Sequence, residues 1–175
     1  MNRLSKLIAA SLGTLLFSTQ AHAGTESASA TVTSSATLLR PVALSSSANL
    51  AFGRIVLPSS GTGSVTIGTS ADTVAASGGA VALAGGSPSR AAFSVSGEGG
   101  QAVTVTVPAT VTMSGPSSST MAVTLTSSVS GSTNLSGSLG AAGSATFYVG
   151  GSFAPTATTT TGAYSGTFTV TVAYQ

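Results

Sequence analysis

Residues 92–108 read AFSVSGEGGQAVTVTVP. Phe93 and Val95 alternate with polar residues before the glycines, and Val103, Val105 and Val107 do so after them. A period of two is that of a half-buried strand, because successive side chains point to opposite faces. The pattern predicts a β-hairpin, with Gly97-Glu98-Gly99-Gly100 supplying its turn. Pro108 ends the second arm, since it has no N–H to give to a ladder.

Working outward, similar short runs recur about every ten residues, separated by Gly, Ser, Thr and Pro. They are 31–39, 42–44, 50–56, 63–68, 80–85, 91–97, 102–108, 109–115, 121–128 and 144–151. The cleanest is the last, GTFTVTVAYQ (166–175), with Phe168, Val170, Val172 and Tyr174 on one face. Val, Thr, Phe and Tyr favour the pleated surface. The expected fold is all-β, an antiparallel immunoglobulin-like sandwich with no helix in the mature chain. Parity places Phe52, Ile55, Phe93, Val95, Val103, Val105 and Val107 in the core. It adds Val123, Leu125, Phe147, Phe168, Val170 and Val172.

The N-terminus bears on the compartment. Arg3 and Lys6 precede an apolar run, Leu7 to Ser18, and Ala21-His-Ala23 fits the small-x-small cleavage rule. Residues 1–23 are therefore expected to be a secretory signal peptide, and residues 24–175 one β-sandwich domain. The run is too short for a spanning helix, and no membrane span is expected in the mature chain. Cleavage removes the sole histidine, His22, and the sole lysine, Lys6. Arg40, Arg54 and Arg90 then balance Glu26, Asp72 and Glu98.

That inventory excludes much chemistry. A serine nucleophile needs a base, and a phosphate-binding loop of the Walker type needs a lysine. With neither cysteine nor mature histidine, only oxygen ligands remain for a metal, and no calcium-loop spacing occurs. The three carboxylates sit in turn-like or terminal sequence, where a solvated charge is the default. Three scattered arginines do not make a nucleic-acid surface. The expectation is a protein that is not an enzyme, with no catalytic residues, no metal and no cofactor. Its uncharged Ser/Thr surface resists association poorly, which suits a protein meant to associate.

The segment NLAFGRIVLP (49–58) resembles a hallmark of an uncharacterised bacterial family of secreted pilin-like domains, through Leu50, Phe52, Gly53, Ile55 and Pro58. Residues 81–108 and 162–175 resemble its central segment and its C-terminus. The C-terminus is also similar to that of chaperone–usher pilins and of spore coat U type proteins. Tyr174 is penultimate, and Gly162 stands fourteenth from the end. The resemblance implies a structural or adhesive subunit of a bacterial surface fibre or coat, exported to the periplasm, cell surface or exterior. It implies assembly by β-strand addition at Gly162, Tyr164, Phe168, Val170, Val172 and Tyr174. The implied partners are further copies, other surface subunits and a periplasmic chaperone. Residues 24–38 would be an N-terminal extension or donor strand, offering Ala28, Ala30, Val32, Ala36 and Leu38 on one face, with Ser34 interrupting the set. The alternative is a self-contained secreted binding module for a glycan or surface protein, without strand exchange.

Overall fold

The computed structural model describes residues 27–175. The expected signal peptide, His22 and Glu26 lie outside the described residues. Residues 27–36 form no strand and are exposed. Residues 37–41 likewise join no strand, so the run at 31–39 is not a strand here. The reason is visible in its composition: small Ala, Ser and Thr side chains bury too little area to hold an unpaired segment.

Twelve strands follow among the described residues. They are β1 (Ala43–Ala48), β2 (Arg54–Val56), β3 (Ser64–Ile67), β4 (Val74–Ser77), β5 (Val81–Leu83) and β6 (Ala91–Glu98). Then come β7 (Ala102–Thr106), β8 (Thr110–Ser114), β9 (Thr120–Ser127), β10 (Ser132–Asn134), β11 (Ala142–Phe153) and β12 (Thr171–Tyr174). All pairings are antiparallel. Against the expectation of no helix, the described residues contain one 3₁₀ turn, Pro116–Ser118.

The larger sheet runs β1-β6-β11-β3-β4, and β9 and β8 extend it from β11. The smaller sheet is β10-β7-β12, and β2 pairs with β5 separately. Val149 stands opposite both Ala91 and Ser127, so β6 and β9 lie along opposite edges of β11. The core fills the space between the two main sheets. Val95, Val123, Phe147 and Val149 come from the larger sheet, and Val103, Val105 and Val170 meet them from the other side. Phe147 is fully buried and stacks on Phe93 at 5.1 Å. The fold is an all-β antiparallel sandwich, consistent with the immunoglobulin-like class.

The stretch 92–108 is not a hairpin. β6 pairs with β1 and β11, whereas β7 pairs with β10 and β12. Gly97–Gln101 carries the chain from one sheet to the other. Its backbone is tied to the loop before β11 instead, through Gly99 N–H to Ala141 O (2.9 Å) and Gly100 N–H to Leu135 O (3.1 Å). The inward parity of both arms is right, since Val95, Val103 and Val105 are buried. An arch between two sheets and a hairpin within one present the same alternation.

Candidate functional site

The terminal segment keeps the alternation read from its sequence. Val170 is buried, Phe168, Val172 and Tyr174 are half-buried, and the threonines between them are exposed. Only Thr171–Tyr174 is laddered, on β7. Upstream, Ser165 bridges Ser114 at the end of β8, through bonds of 3.0 and 2.8 Å. The chain therefore leaves the edge of the larger sheet at Ser165 and joins the smaller sheet at Thr171.

Residues 166–170, which span that crossing, join no ladder, and the backbone hydrogen bonds between segments do not use them. Register explains the gap. Thr171 faces Thr106, so Val170 and Thr169 would have to pair with Val107 and Pro108. Proline has no N–H for that bond. An unpaired backbone is sustainable here because the segment is largely open to water.

Gly166, Thr167 and Phe168 of this segment, with 159–165 before them, form one wall of an apolar groove of 910 Å³. A second wall comes from the stretch Ser46 through Leu57, and Phe93 and Phe153 also line the groove. Two aromatic contacts build the interior. Phe93 carries Phe168 at 6.4 Å, and Phe52 meets Phe153 edge-on at 4.9 Å.

The hallmark-like residues Leu50, Phe52, Gly53 and Ile55 all line this groove, while Pro58 is buried away from it beside Gly79. Gly53 adopts φ +74°, and a Cβ there would stand 2.9 Å from the Gly86 carbonyl oxygen. Glycine is thus required twice, by conformation and by close approach. The same contact draws the Gly85-Gly86 turn against the wall, beside the Ala51–Ser89 bridge.

Gly162 and Tyr164 lie on the terminal side of the groove. Gly162 has φ +143° and abuts the Pro116 ring. Tyr164 covers Gly115, and its hydroxyl donates to the Thr160 carbonyl at 2.8 Å and sits 3.0 Å from the Ser119 hydroxyl. Of the other site residues named from sequence, Phe168 lines the groove and Val170 and Val172 belong to or pack on the core.

Tyr174 sits elsewhere, in a cluster that sequence reasoning missed. Its hydroxyl accepts the Glu98 N–H at 2.7 Å and donates to the Arg40 carbonyl at 2.8 Å. Glu98 was expected to be solvated, yet it is 2% exposed. Its carboxylate accepts the Gly140 N–H, the Arg40 N–H (3.2 Å) and the Arg40 guanidinium (2.9 Å). The Gly140 N–H, and after it the bonds from Arg40, hold the carboxyl below its ordinary value of 4.5 against the opposing effect of burial. Asp72, by contrast, is exposed as expected; its carboxylate accepts the Arg90 N–H at 2.9 Å and lies 3.6 Å from the Arg90 guanidinium. The Arg90 guanidinium covers the Tyr148 ring at 3.7 Å. Gly97 and Gly99 are buried, so the turn holding Glu98 runs inside the protein.

Among the described residues, no helix is long and apolar enough to cross a membrane. No curated protein and no solved structure matches the chain. Residues 42–174 match the family described as a domain of unknown function, DUF4402. That match runs from the residue before β1 to the end of β12 and takes in both walls of the groove. The chain belongs to the DUF4402 family.

Proposed function

We propose that this protein is a non-enzymatic structural or adhesive subunit of a bacterial surface fibre or coat, assembling by β-strand addition beside residues 166–170. The observation that carries the reading is a segment of alternating burial that lacks a ladder partner and whose residues 166–168 line an apolar groove. An added strand gains affinity from backbone hydrogen bonds and specificity from alternate side chains set into pockets. Here the backbone groups would come from 166–170 and the pockets from Phe52, Phe93, Phe153 and Phe168.

The donor in this reading is residues 28–38 of a neighbouring copy. Val32 and Leu38 are 86% and 90% exposed, and they share one face of the segment with Ala28, Ala30 and Ala36. A periplasmic chaperone would cover the same groove before assembly, and other surface subunits would present equivalent strands. Export through the signal peptide would deliver the chain to the periplasm, surface or exterior.

A second reading is a self-contained secreted module that binds a glycan or surface protein in the groove. It is favoured by the lining, where Ser46, Asn49 and Thr159–Thr161 add hydroxyls and an amide to the aromatic rings. Electrophoresis separates the two readings. A chain beginning at Gly24 is expected to run as multimers that resist SDS unheated and dissociate on boiling, and removal of residues 24–38 should abolish them. Multimers that persist after the removal, or a strictly monomeric intact chain, refute strand addition.

A further inference from the structure

We infer that Glu98, Arg40 and Tyr174 form an acid-released latch that holds the first edge strand, β1, on the sandwich. The inference needs neither the fibre nor the binding-module reading, because it concerns how β1 is retained.

The latch is a closed ring of hydrogen bonds. Arg40 gives Glu98 both its backbone N–H and its guanidinium, and a second guanidinium nitrogen donates to the Gly140 carbonyl at 3.1 Å. Tyr174 links the Glu98 N–H to the Arg40 carbonyl. The segment just before β1 is thereby joined to the end of β6, to the loop before β11 and to β12. Glu98 is the buried charged side chain among the described residues, and its cationic partner lies three residues before β1.

Apart from the latch, β1 is held by its ladder to β6, by Leu44 on the core and by the Ser45 and Ser47 hydroxyls on β6 carbonyls. It pairs with β6 alone, and the register slips between Ser46 and Ala48. None of its residues is fully buried, and Leu44 and Ala48 are only partly so. An edge strand with one neighbour and shallow burial belongs to the low-stability end of local opening. A bond network at its root therefore has large leverage over it. Ser46 and Ala48 also line the groove, so release of β1 alters that wall.

The electrostatics around Glu98 are sparse. Among the described residues, the titratable or charged groups facing it are Arg40, from the segment before β1, and Tyr174, from β12. Loop 136–141, β7 and the start of β11 present no charged side chain. The other ion pair, Asp72–Arg90, lies near the opposite end of β6, about 25 Å away at the rise of a strand. Glu98 binds its proton less readily folded than unfolded. The stability it contributes is therefore full above its unfolded value and is lost as pH falls through its lower folded value.

The test is hydrogen exchange on the chain beginning at Gly24, from pH 7 to pH 3, with rates corrected for intrinsic pH dependence. The expected result is accelerated exchange at 42–48 in acid, while β9 and β11 stay protected. The acceleration should be roughly tenfold for each pH unit separating the folded and unfolded values of Glu98. Glu98→Gln should show fast β1 exchange already at pH 7, without acid dependence. Arg40→Gln leaves the carboxylate in place but moves the opening toward neutral pH. Asp72→Asn should leave the profile unchanged. Flat exchange of β1 across the range, simultaneous loss of β9 and β11, or a wild-type profile in Glu98→Gln overturns the latch.

Discussion

Phe93 lies between Phe147, stacked at 5.1 Å, and Phe168, edge-on at 6.4 Å. Truncating the two outer rings should give opposite phenotypes. Phe147 is fully buried between the sheets. Phe147→Ala loses the transfer free energy of the ring and leaves a cavity, at a cost of about 3–5 kcal/mol. Against a typical domain stability of about 5–15 kcal/mol that is a large fraction. A domain of this size loses roughly 2–4 °C of Tm per kcal/mol, so the fall should be roughly 6–20 °C. Phe168 is half-buried on a segment without a ladder partner. Its ring buries about half of what a core phenylalanine does, so Phe168→Ala should cost only about 1–1.5 kcal/mol. Yet it takes an aromatic ring out of one wall of the groove, and multimers should be lost at a temperature where the monomer remains folded. Calorimetry read beside unheated SDS electrophoresis checks both arms. Equal destabilisation by the two variants, or full assembly of Phe168→Ala, would refute a groove-lining role for Phe168.

Other substitutions probe the neighbouring walls. Gly53→Ala adds a left-handed conformation for an L-residue, at about 1–2 kcal/mol, to a contact of 2.9 Å with Gly86. It should lower Tm measurably while Gly61→Ala, at positive φ in open space, shows the conformational cost alone. Tyr164→Phe removes the hydroxyl that binds Thr160 and Ser119, and should cost about 1 kcal/mol in denaturant unfolding. In acid, the lowered value of Glu98 means that stability is lost only below its ordinary 4.5, and Glu98→Gln should flatten a plot of Tm against pH there.

The class of fold was legible because parity survives composition. Val95, Val103, Val105, Val123, Phe147 and Val170 are buried as their alternation required. What parity does not encode is the partner of each strand. For that reason Gly97–Gln101 read as a hairpin turn, although it spans two sheets. β4 and β10 escaped notice because Val-Ala-Ala-Ser and Ser-Thr-Asn carry few of the branched and aromatic residues that mark strands. Tyr148 shows the converse. Its parity opposes that of Phe147, and it lies outside the core beneath Arg90.

The candidate site divides in the same way. Leu50, Phe52, Gly53 and Ile55 were recognisable as a motif, and the structure gives them a common wall. The unpaired stretch at 166–170 was not legible, because its sequence is that of an ordinary strand. Its lack of a ladder partner follows from Pro108, nearly sixty residues away in the chain and brought opposite it only by the β7–β12 register. Glu98 was misread for a similar reason. A charge among glycines is usually solvated, and only the fold brings Arg40 and Gly140 to it.

The central claim is that 166–170 is an acceptor of an added strand. Its most direct test is amide exchange of a chain beginning at Leu39, with and without a peptide of residues 27–38. The peptide should protect amides within 166–170 while the core strands β9 and β11 are unaffected. Peptide binding without protection at 166–170, or no binding at all, would contradict it.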